Sequence, residues 1–276
     1  MGKALLASLI LCAILCPTPC RASRISLEIS TEVVRTEKGW SARVRVVNKG
    51  DEAAHDLQVR LQAVGEDTSS AIVGELGAGK VWEIELPILA AAKSPSPAIR
   101  GRYPVVTRVF YSDANGHPFS ALSVGHFDAG EAAVSQLGGS LRVSAVSDKG
   151  TFSLDLRNME QTPIEATVSW VFPREVVPDR ETDRITIQGR GSARLEGTLK
   201  NLSALPGSAY PVFALMEYDK DGVHFTAKAG ATLEVTEAQS LVGPWRIPLL
   251  VLLVVLGIVI VVRQYAHRRP PAVSPD

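Results

Sequence analysis

The sequence predicts an all-β protein with two tandem β-sandwich domains, followed by one C-terminal transmembrane α-helix. Three observations support this prediction. Short stretches of alternating apolar and polar residues lie between turn signals, a set of landmarks recurs after about 110 residues, and Ile247–Val262 is a run of sixteen residues without a charge. Strands that face a core bury alternate side chains, whereas a run that is apolar on every side suits the interior of a lipid bilayer.

Residues 1–22 have the parts of a secretory signal peptide. A lysine precedes an apolar run over Ala4–Leu15, and Cys20 and Ala22 supply small side chains at the two positions that signal peptidase inspects. We therefore expect cleavage after Ala22. Lipidation of Cys20 is the alternative, although the two prolines shortly before it are a poor approach to a lipidated cysteine.

All cysteines of the chain lie in this leader, at Cys12, Cys16 and Cys20. The chain that follows Ala22 has none. A disulfide framework, a cysteine nucleophile and a thiolate metal site are therefore excluded for the mature protein.

Internal repetition divides the 224 residues of Ser23–Arg246 into two domains. A Tyr-Pro-Val segment, with a second tyrosine eight residues after the first, occurs twice at a separation of 107 residues. The matched landmarks are Tyr103 with Tyr210, Tyr111 with Tyr218, Val44 with Leu154, Val46 with Leu156, Asn48 with Asn158, and Gly77-Ala78-Gly79 with Gly189-Arg190-Gly191, the last at an offset of 112. Landmarks in one order and register over about a hundred residues indicate duplicated structural units.

Each copy contains roughly seven predicted strands in about 100 residues, with turn signals between them and no long helix. This pattern is typical of an immunoglobulin-like sandwich, in which two antiparallel sheets enclose a core of alternating side chains. We predict a first sandwich over residues 23–127, a glycine-containing linker over 128–139 and a second sandwich over 140–240.

The first domain resembles a known bacterial module. Arg43-Val44-Arg45-Val46-Val47-Asn48-Lys49-Gly50, followed by Ala54–Leu61, is similar to the strand, Asn-x-Gly turn, strand signature of CARDB-type domains. In the second copy Glu160 stands where Gly50 would align. The resemblance implies an adhesion-related immunoglobulin-like fold, a location outside the cytoplasm and a binding role, and it brings no catalytic residues.

Two hairpin turns of the repeat carry acidic residues and are therefore candidate metal sites. Their residues are Asp113, Gly116, Asp219, Asp221 and Gly222. Alternating carboxylates before a glycine form part of a calcium loop, but the glutamate that an EF-hand requires is missing. Hairpin tips select Asp and Gly for their backbone conformation, and one repeated turn explains both sites, so we predict hairpin turns and no metal.

The sequence contains no HExxH, GxSxG or phosphate-loop pattern. His117 and His224 follow the two turns, and a lone histidine on a strand is more often a packing residue than a catalytic base. An enzyme would need a cleft that joins one of them to acids. We therefore predict that the protein is not an enzyme and has no cofactor.

The net charge argues against a nucleic-acid partner. Ser23–Arg246 holds 24 basic and 28 acidic residues, a net charge of −4. A protein that binds nucleic acid needs a basic face to meet the phosphates. The net acidic segment Ser23–Arg246 does not fit this requirement.

The run Ile247–Val262 predicts a membrane anchor. Sixteen residues give roughly 24 Å of helix, and Trp245, Arg246, Arg263 and Tyr265 are suited to the two interfaces, so we predict a transmembrane helix over residues 245–263. A buried core helix is the alternative. The basic residues of the tail 264–276 place it in the cytoplasm, which leaves the sandwiches in the periplasm or outside the cell.

Two hypotheses for function follow. In the first, a single-pass cell-envelope protein uses its two sandwiches to bind or scaffold a protein partner, as an accessory subunit or adaptor. In the second, it is a membrane-tethered module that binds glycan or cell wall. Exposed aromatic side chains at Trp40, Trp82 or Trp170 would favour the glycan, whereas an apolar patch or a bare edge strand would favour a protein.

Overall fold

A computed structural model describes residues 24–37, 39–88, 99–237 and 246–267 of the chain. The predicted signal peptide with Ala22, the anchor residue Trp245 and the tail beyond residue 267 lie outside the described residues. The chain divides into two units, Met1–Val235 and Thr236–Asp276, and each is described by itself.

The first unit is mostly β-sheet, as the alternating pattern predicts, and its first half contains eight strands among the described residues. They are β1 (Leu27–Thr36), β2 (Gly39–Asn48), β3 (Ala54–Ala63), β4 (Glu66–Ser69), β5 (Val73–Leu76), β6 (Val81–Ile88), β7 (Gly101–Ser112) and β8 (Pro118–Ala129).

The second half of this unit repeats the arrangement. Its strands are β9 (Leu137–Val143), β10 (Lys149–Asn158), β11 (Ile164–Val171), β12 (Val176–Pro178), β13 (Thr182–Ile187), β14 (Ser192–Asn201), β15 (Ala209–Lys220) and β16 (Val223–Glu234). Since β8 continues to Ala129 and β9 begins at Leu137, residues 130–136 connect the halves, a shorter stretch than the predicted linker 128–139.

The strands form three sheets, which enclose two separate cores in a sandwich-like arrangement. A three-stranded sheet has the order β1-β2-β6 and a four-stranded sheet the order β12-β14-β10-β9. A nine-stranded sheet runs through both halves in the order β13-β11-β15-β16-β7-β3-β4, with β5 on β3 and β8 on β7. Each half buries its own core, because alternate side chains of facing sheets point inward.

The two cores are made of aliphatic and aromatic side chains from facing sheets. In the first half, Val44 and Val46 of β2 meet Val59 of β3 and Val109 of β7. The second core is formed by side chains that include Phe152, Leu154, Leu156, Ile164, Trp170, Val212, Met216 and Leu233. A smaller cluster, Val106, Leu122, Val124, Val171 and Leu215, joins β7 and β8 to β11 and β15.

A buried asparagine in each half explains why the repeat includes Asn48 and Asn158, both 0% exposed. The Asn48 amide donates to the carbonyls of Glu52 and Leu76, while its Oδ1 accepts from the Gly50 backbone. In the same way Asn158 donates to the carbonyls of Thr162, Ile187 and Gln188, and its Oδ1 accepts from the Glu160 backbone. Each asparagine therefore ties a strand end to two loops.

These bonds correct one landmark of the repeat. Leu76 corresponds to Ile187 as carbonyl acceptor, which is an offset of 111, and the residues with positive φ in the adjoining turns are Gly79 (71°) and Arg190 (59°). The two Gly-x-Gly segments are therefore shifted by one residue from the predicted offset of 112. The glycines of the two segments do not correspond. What the repeat preserves at this position is the positive φ, which a glycine adopts in the first half and an arginine in the second.

The second unit contains a helix, α1 (Arg246–His267), of 22 residues. It includes the uncharged run, and Val251–Ile260 is exposed along its length, as is Arg263. Within the described part of the chain, no helix meets both the length and the apolar character required for crossing a membrane.

Candidate functional site

The first predicted turn joins β7 to β8 and is closed by its own acid. Asp113 Oδ1 accepts hydrogen bonds from the backbone amides of Asn115 (2.9 Å) and His117 (2.8 Å). The amide of His117 and then that of Asn115 hold the pKa of Asp113 below its ordinary value. Gly116 has φ 77°, which glycine adopts without strain. The carboxylate therefore serves the turn itself.

The second predicted turn is a two-residue hairpin loop between β15 and β16. Lys220 pairs with Val223, and the intervening Asp221 and Gly222 have φ of 52° and 70°. Two consecutive positive φ values define the type I′ turn that matches the twist of a hairpin. Among the described residues, no three His, Cys, Asp or Glu side chains form a group that suits a metal ion.

His224 is held by acids on either side. Its Nδ1 lies 2.9 Å from Asp219 Oδ1 and its Nε2 lies 3.2 Å from Glu217 Oε1. The ring stacks on Tyr103 at 4.4 Å between centroids. Burial lowers the pKa of His224, but the bonds to Glu217 and Asp219 outweigh it, so the pKa lies above its ordinary value. Both ring nitrogens thus bond to acids of β15, and the stacked ring links the hairpin to Tyr103 of β7.

A buried glutamate at the junction between the halves carries no signal in the sequence. Glu175 is 0% exposed and lies in the turn before β12, where its Oε2 accepts a hydrogen bond from Ser120 Oγ of β8 at 2.6 Å. Oε1 is buried without a hydrogen-bond partner among the described residues. Burial raises the pKa of Glu175, although the bond from Ser120 opposes this.

Glu175 therefore makes stability depend on pH. Because its folded-state pKa is raised above the ordinary 4.5, the folded state holds the proton more tightly, and stability falls as pH rises from 4.5 through the raised pKa. We expect Glu175→Gln to raise the free energy of unfolding at pH 7 by about 1–3 kcal/mol and to flatten this dependence. Thermal unfolding between pH 4 and pH 8 measures both effects, with the exposed Glu165→Gln as control. An unchanged pH profile in Glu175→Gln would contradict the assignment.

The outer face of the four-stranded sheet carries several grooves. Grooves of 530, 660 and 480 Å³ lie along it. The face is formed by the outward side chains of β10 and β14, which alternate with the core residues Phe152, Leu154, Leu156 and Leu199. These outward residues are Lys149, Thr151, Ser153, Asp155 and Arg157 on β10, and Ser192, Arg194, Glu196, Thr198 and Lys200 on β14.

The charged side chains in the middle of this outer face form ion pairs with one another. Asp155 forms ion pairs with Arg142 (3.2 Å) and Arg194 (3.7 Å), and Arg194 also reaches Glu196 at 2.9 Å. Because these side chains are largely solvated, each pair contributes little to stability. Their consequence is a neutralised central surface between the two ends of the sheet.

One end of the outer face differs, because it is apolar and basic. Val177 on β12 is 44% exposed and Leu202 is 58% exposed. Both line the 660 Å³ groove together with Lys149 and Lys200. Exposed apolar side chains beside a groove are typical of an interaction surface. The sequence predicts the strands here but gives no sign that these four residues meet.

The tryptophans that would favour glycan binding face inward. Trp170 is 5% exposed, packs on Phe152 with tilted rings whose centroids are 4.5 Å apart, and donates from Nε1 to Asp183 Oδ2 at 2.8 Å. Trp40 and Trp82 are half-buried against the first core, where Trp40 packs on Phe127. None of the three forms an exposed platform on which a sugar ring stacks.

The solved structures that are similar to this chain share little sequence with it and superpose with low TM-scores. No family model matches the chain, and no curated protein matches it. Similar solved structures include a red sea bream transglutaminase (14% identity, TM-score 0.26, covering 79% of this chain and 32% of that one). Others are Escherichia coli alpha-2-macroglobulin activated by porcine elastase (12%, 0.32, 79% and 22%) and the YadV chaperone (16%, 0.27, 74% and 99%). The chain spans a third or less of the transglutaminase and macroglobulin chains.

Proposed function

We propose that this protein is a non-enzymatic, single-pass cell-envelope protein whose two immunoglobulin-like sandwiches bind and position a protein partner outside the cytoplasm, as an accessory subunit or adaptor. Residues 245–263 anchor it in the membrane in this proposal, residues 264–276 form a cytoplasmic tail, and the partner binds the outer face of the four-stranded sheet.

The observation that supports this proposal is the character of that outer face. Grooves lie along it, its centre is neutralised by ion pairs, and Val177 and Leu202 stand exposed at one end. Exposed apolar side chains beside polar ones are typical of surfaces that bind other proteins. The inward tryptophans disfavour the glycan hypothesis, which depends on exposed aromatic rings.

The junction supports a scaffolding role as well. Thr226 Oγ1 donates to the Arg102 carbonyl at 2.7 Å, Lys228 Nζ donates to the Val124 carbonyl at 2.9 Å, and the β16–β7 pairing continues one sheet through both halves. These bonds resist bending between the sandwiches. A stiff pair of domains suits a protein that holds a partner at a defined distance from the membrane.

Site-specific photo-cross-linking in intact cells tests the proposal. A benzophenone side chain placed at Thr198, which lines two of the grooves of the outer face, is expected to yield one dominant protein adduct, which mass spectrometry of the detergent extract identifies. The same group at Arg43, an exposed position on β2, is the control and should give no such adduct.

A different outcome of the same experiment would contradict the proposal. If neither position yields a protein adduct, and the full-length protein in detergent sediments with isolated cell-wall polysaccharide, the protein-binding proposal fails and the glycan hypothesis replaces it. Sedimentation should then be lost on adding soluble polysaccharide.

A further inference from the structure

A pair of lysines faces the apolar end of the outer face without an acidic partner. Lys149 and Lys200 are directly opposite in the antiparallel register of β10 and β14, and both are exposed. Like charges in opposed positions of a sheet are destabilising. No ion pair to either lysine is found among the described residues, and Asp179, an acid that lines the same groove, pairs with Arg180 instead at 3.3 Å.

The lysine pair continues into an apolar side chain along one row of the sheet. Lys200 is paired on its other side with Val177 of β12, so that Lys149, Lys200 and Val177 follow one another across three strands. Leu202, just beyond the end of β14, extends the apolar side of the row, and its backbone amide is fixed by the Glu175 carbonyl at 2.8 Å. The row therefore combines two free cations with an exposed apolar surface.

We propose that this row is a docking site for an extended segment of the partner protein that carries an acidic side chain and, two residues later, a large apolar side chain. This inference rests on the proposed function. A carboxylate midway between the two lysines relieves the repulsion between them and forms two charge-assisted hydrogen bonds.

The spacing of the row determines the spacing of this motif. Neighbouring strands are about 4.8 Å apart, so the midpoint of the lysine pair lies about 7 Å from Val177. In an extended chain, residues i and i+2 point to one side and are about 6.7 Å apart. An acid at i therefore reaches the lysines when an apolar side chain at i+2 covers Val177 and Leu202.

The test places the benzophenone group at Leu202 of the full-length protein in intact cells. We expect a protein adduct whose cross-linked peptide contains Asp or Glu two residues from a large apolar residue. In the K149E/K200E background the adduct yield should fall about tenfold or more, because the carboxylate now meets two negative charges. The reversed pair is still like-charged, so folding stability should remain as in the parent.

A matched control has the same change in net charge at distant exposed sites, K80E/R184E, and should leave the adduct unchanged. An adduct at Leu202 that survives K149E/K200E, or that lacks the acidic and apolar pair, overturns the inference. An adduct at Thr198 with none at Leu202 also overturns the inference. In each of these three outcomes a protein adduct is still formed, so the proposed function stands. Absence of adducts at both positions overturns the inference and the proposed function together.

Discussion

Replacing Asn158 with alanine is expected to lower the free energy of unfolding by about 3–5 kcal/mol, because the variant leaves buried backbone groups without partners. The lost bonds are those to the carbonyls of Thr162, Ile187 and Gln188 and the one accepted from the Glu160 amide. Asn48→Ala should have a similar effect in the first half, where it removes bonds to Glu52, Leu76 and Gly50.

The two variants should act on different halves. Hydrogen exchange of the full-length protein, read by peptide, is expected to show the loss of protection in β10 and β14 for Asn158→Ala and in β2 and β6 for Asn48→Ala. Asn115→Ala, at an exposed turn position, is the control and should change stability by no more than about 0.5 kcal/mol. Equal effects of Asn115→Ala and Asn158→Ala would show that the buried amides are not what holds these loops.

These asparagines show what the sequence does reveal. Strands such as β2 and β10 alternate apolar and polar residues because one face meets a core, and that alternation is visible without knowing the partners. Asn48 and Asn158 stand out because they repeat at the same place after an alternating strand. The glycines nearby misalign by one residue, since Arg190 adopts the positive φ that Gly79 adopts in the first half.

The candidate site could not be predicted from the sequence, because it depends on which strands become neighbours. The outward residues of β10 and β14 tolerate many neighbours, so nothing in either strand fixes the register that brings Lys149 opposite Lys200. Glu175 gave no signal because a glutamate in a turn is ordinarily exposed, and its burial comes from contact with Ser120 of the other half. Both features depend on how distant strands meet and not on local pattern.

Gly101→Ala is expected to open the junction between the two halves. A Cβ at Gly101 would lie 2.0 Å from the carbonyl oxygen of His224, and the residue has φ 109°, a conformation that other residues rarely adopt. Since the clash is with backbone, the pairing of β7 with β16 must shift, which also disturbs the bond from the His224 amide to the Arg100 carbonyl. We expect a loss of about 3–5 kcal/mol from strain and broken hydrogen bonds.

The loss in Gly101→Ala should be confined to the junction if the two cores are independent. Hydrogen exchange of the full-length protein is expected to increase at His224, Thr226 and neighbouring amides while β2 and β10 stay protected. Gly116→Ala is the matched control, because Gly116 also has positive φ (77°) but open space around its Cβ, and it should cost only about 1–2 kcal/mol. If both alanines cost the same and β16 stays protected, the close approach at Gly101 does not hold the halves together. If the cores lose protection together with the junction, the two sandwiches fold as one cooperative unit, and the stiffness invoked for the scaffolding role is then a property of the whole first unit.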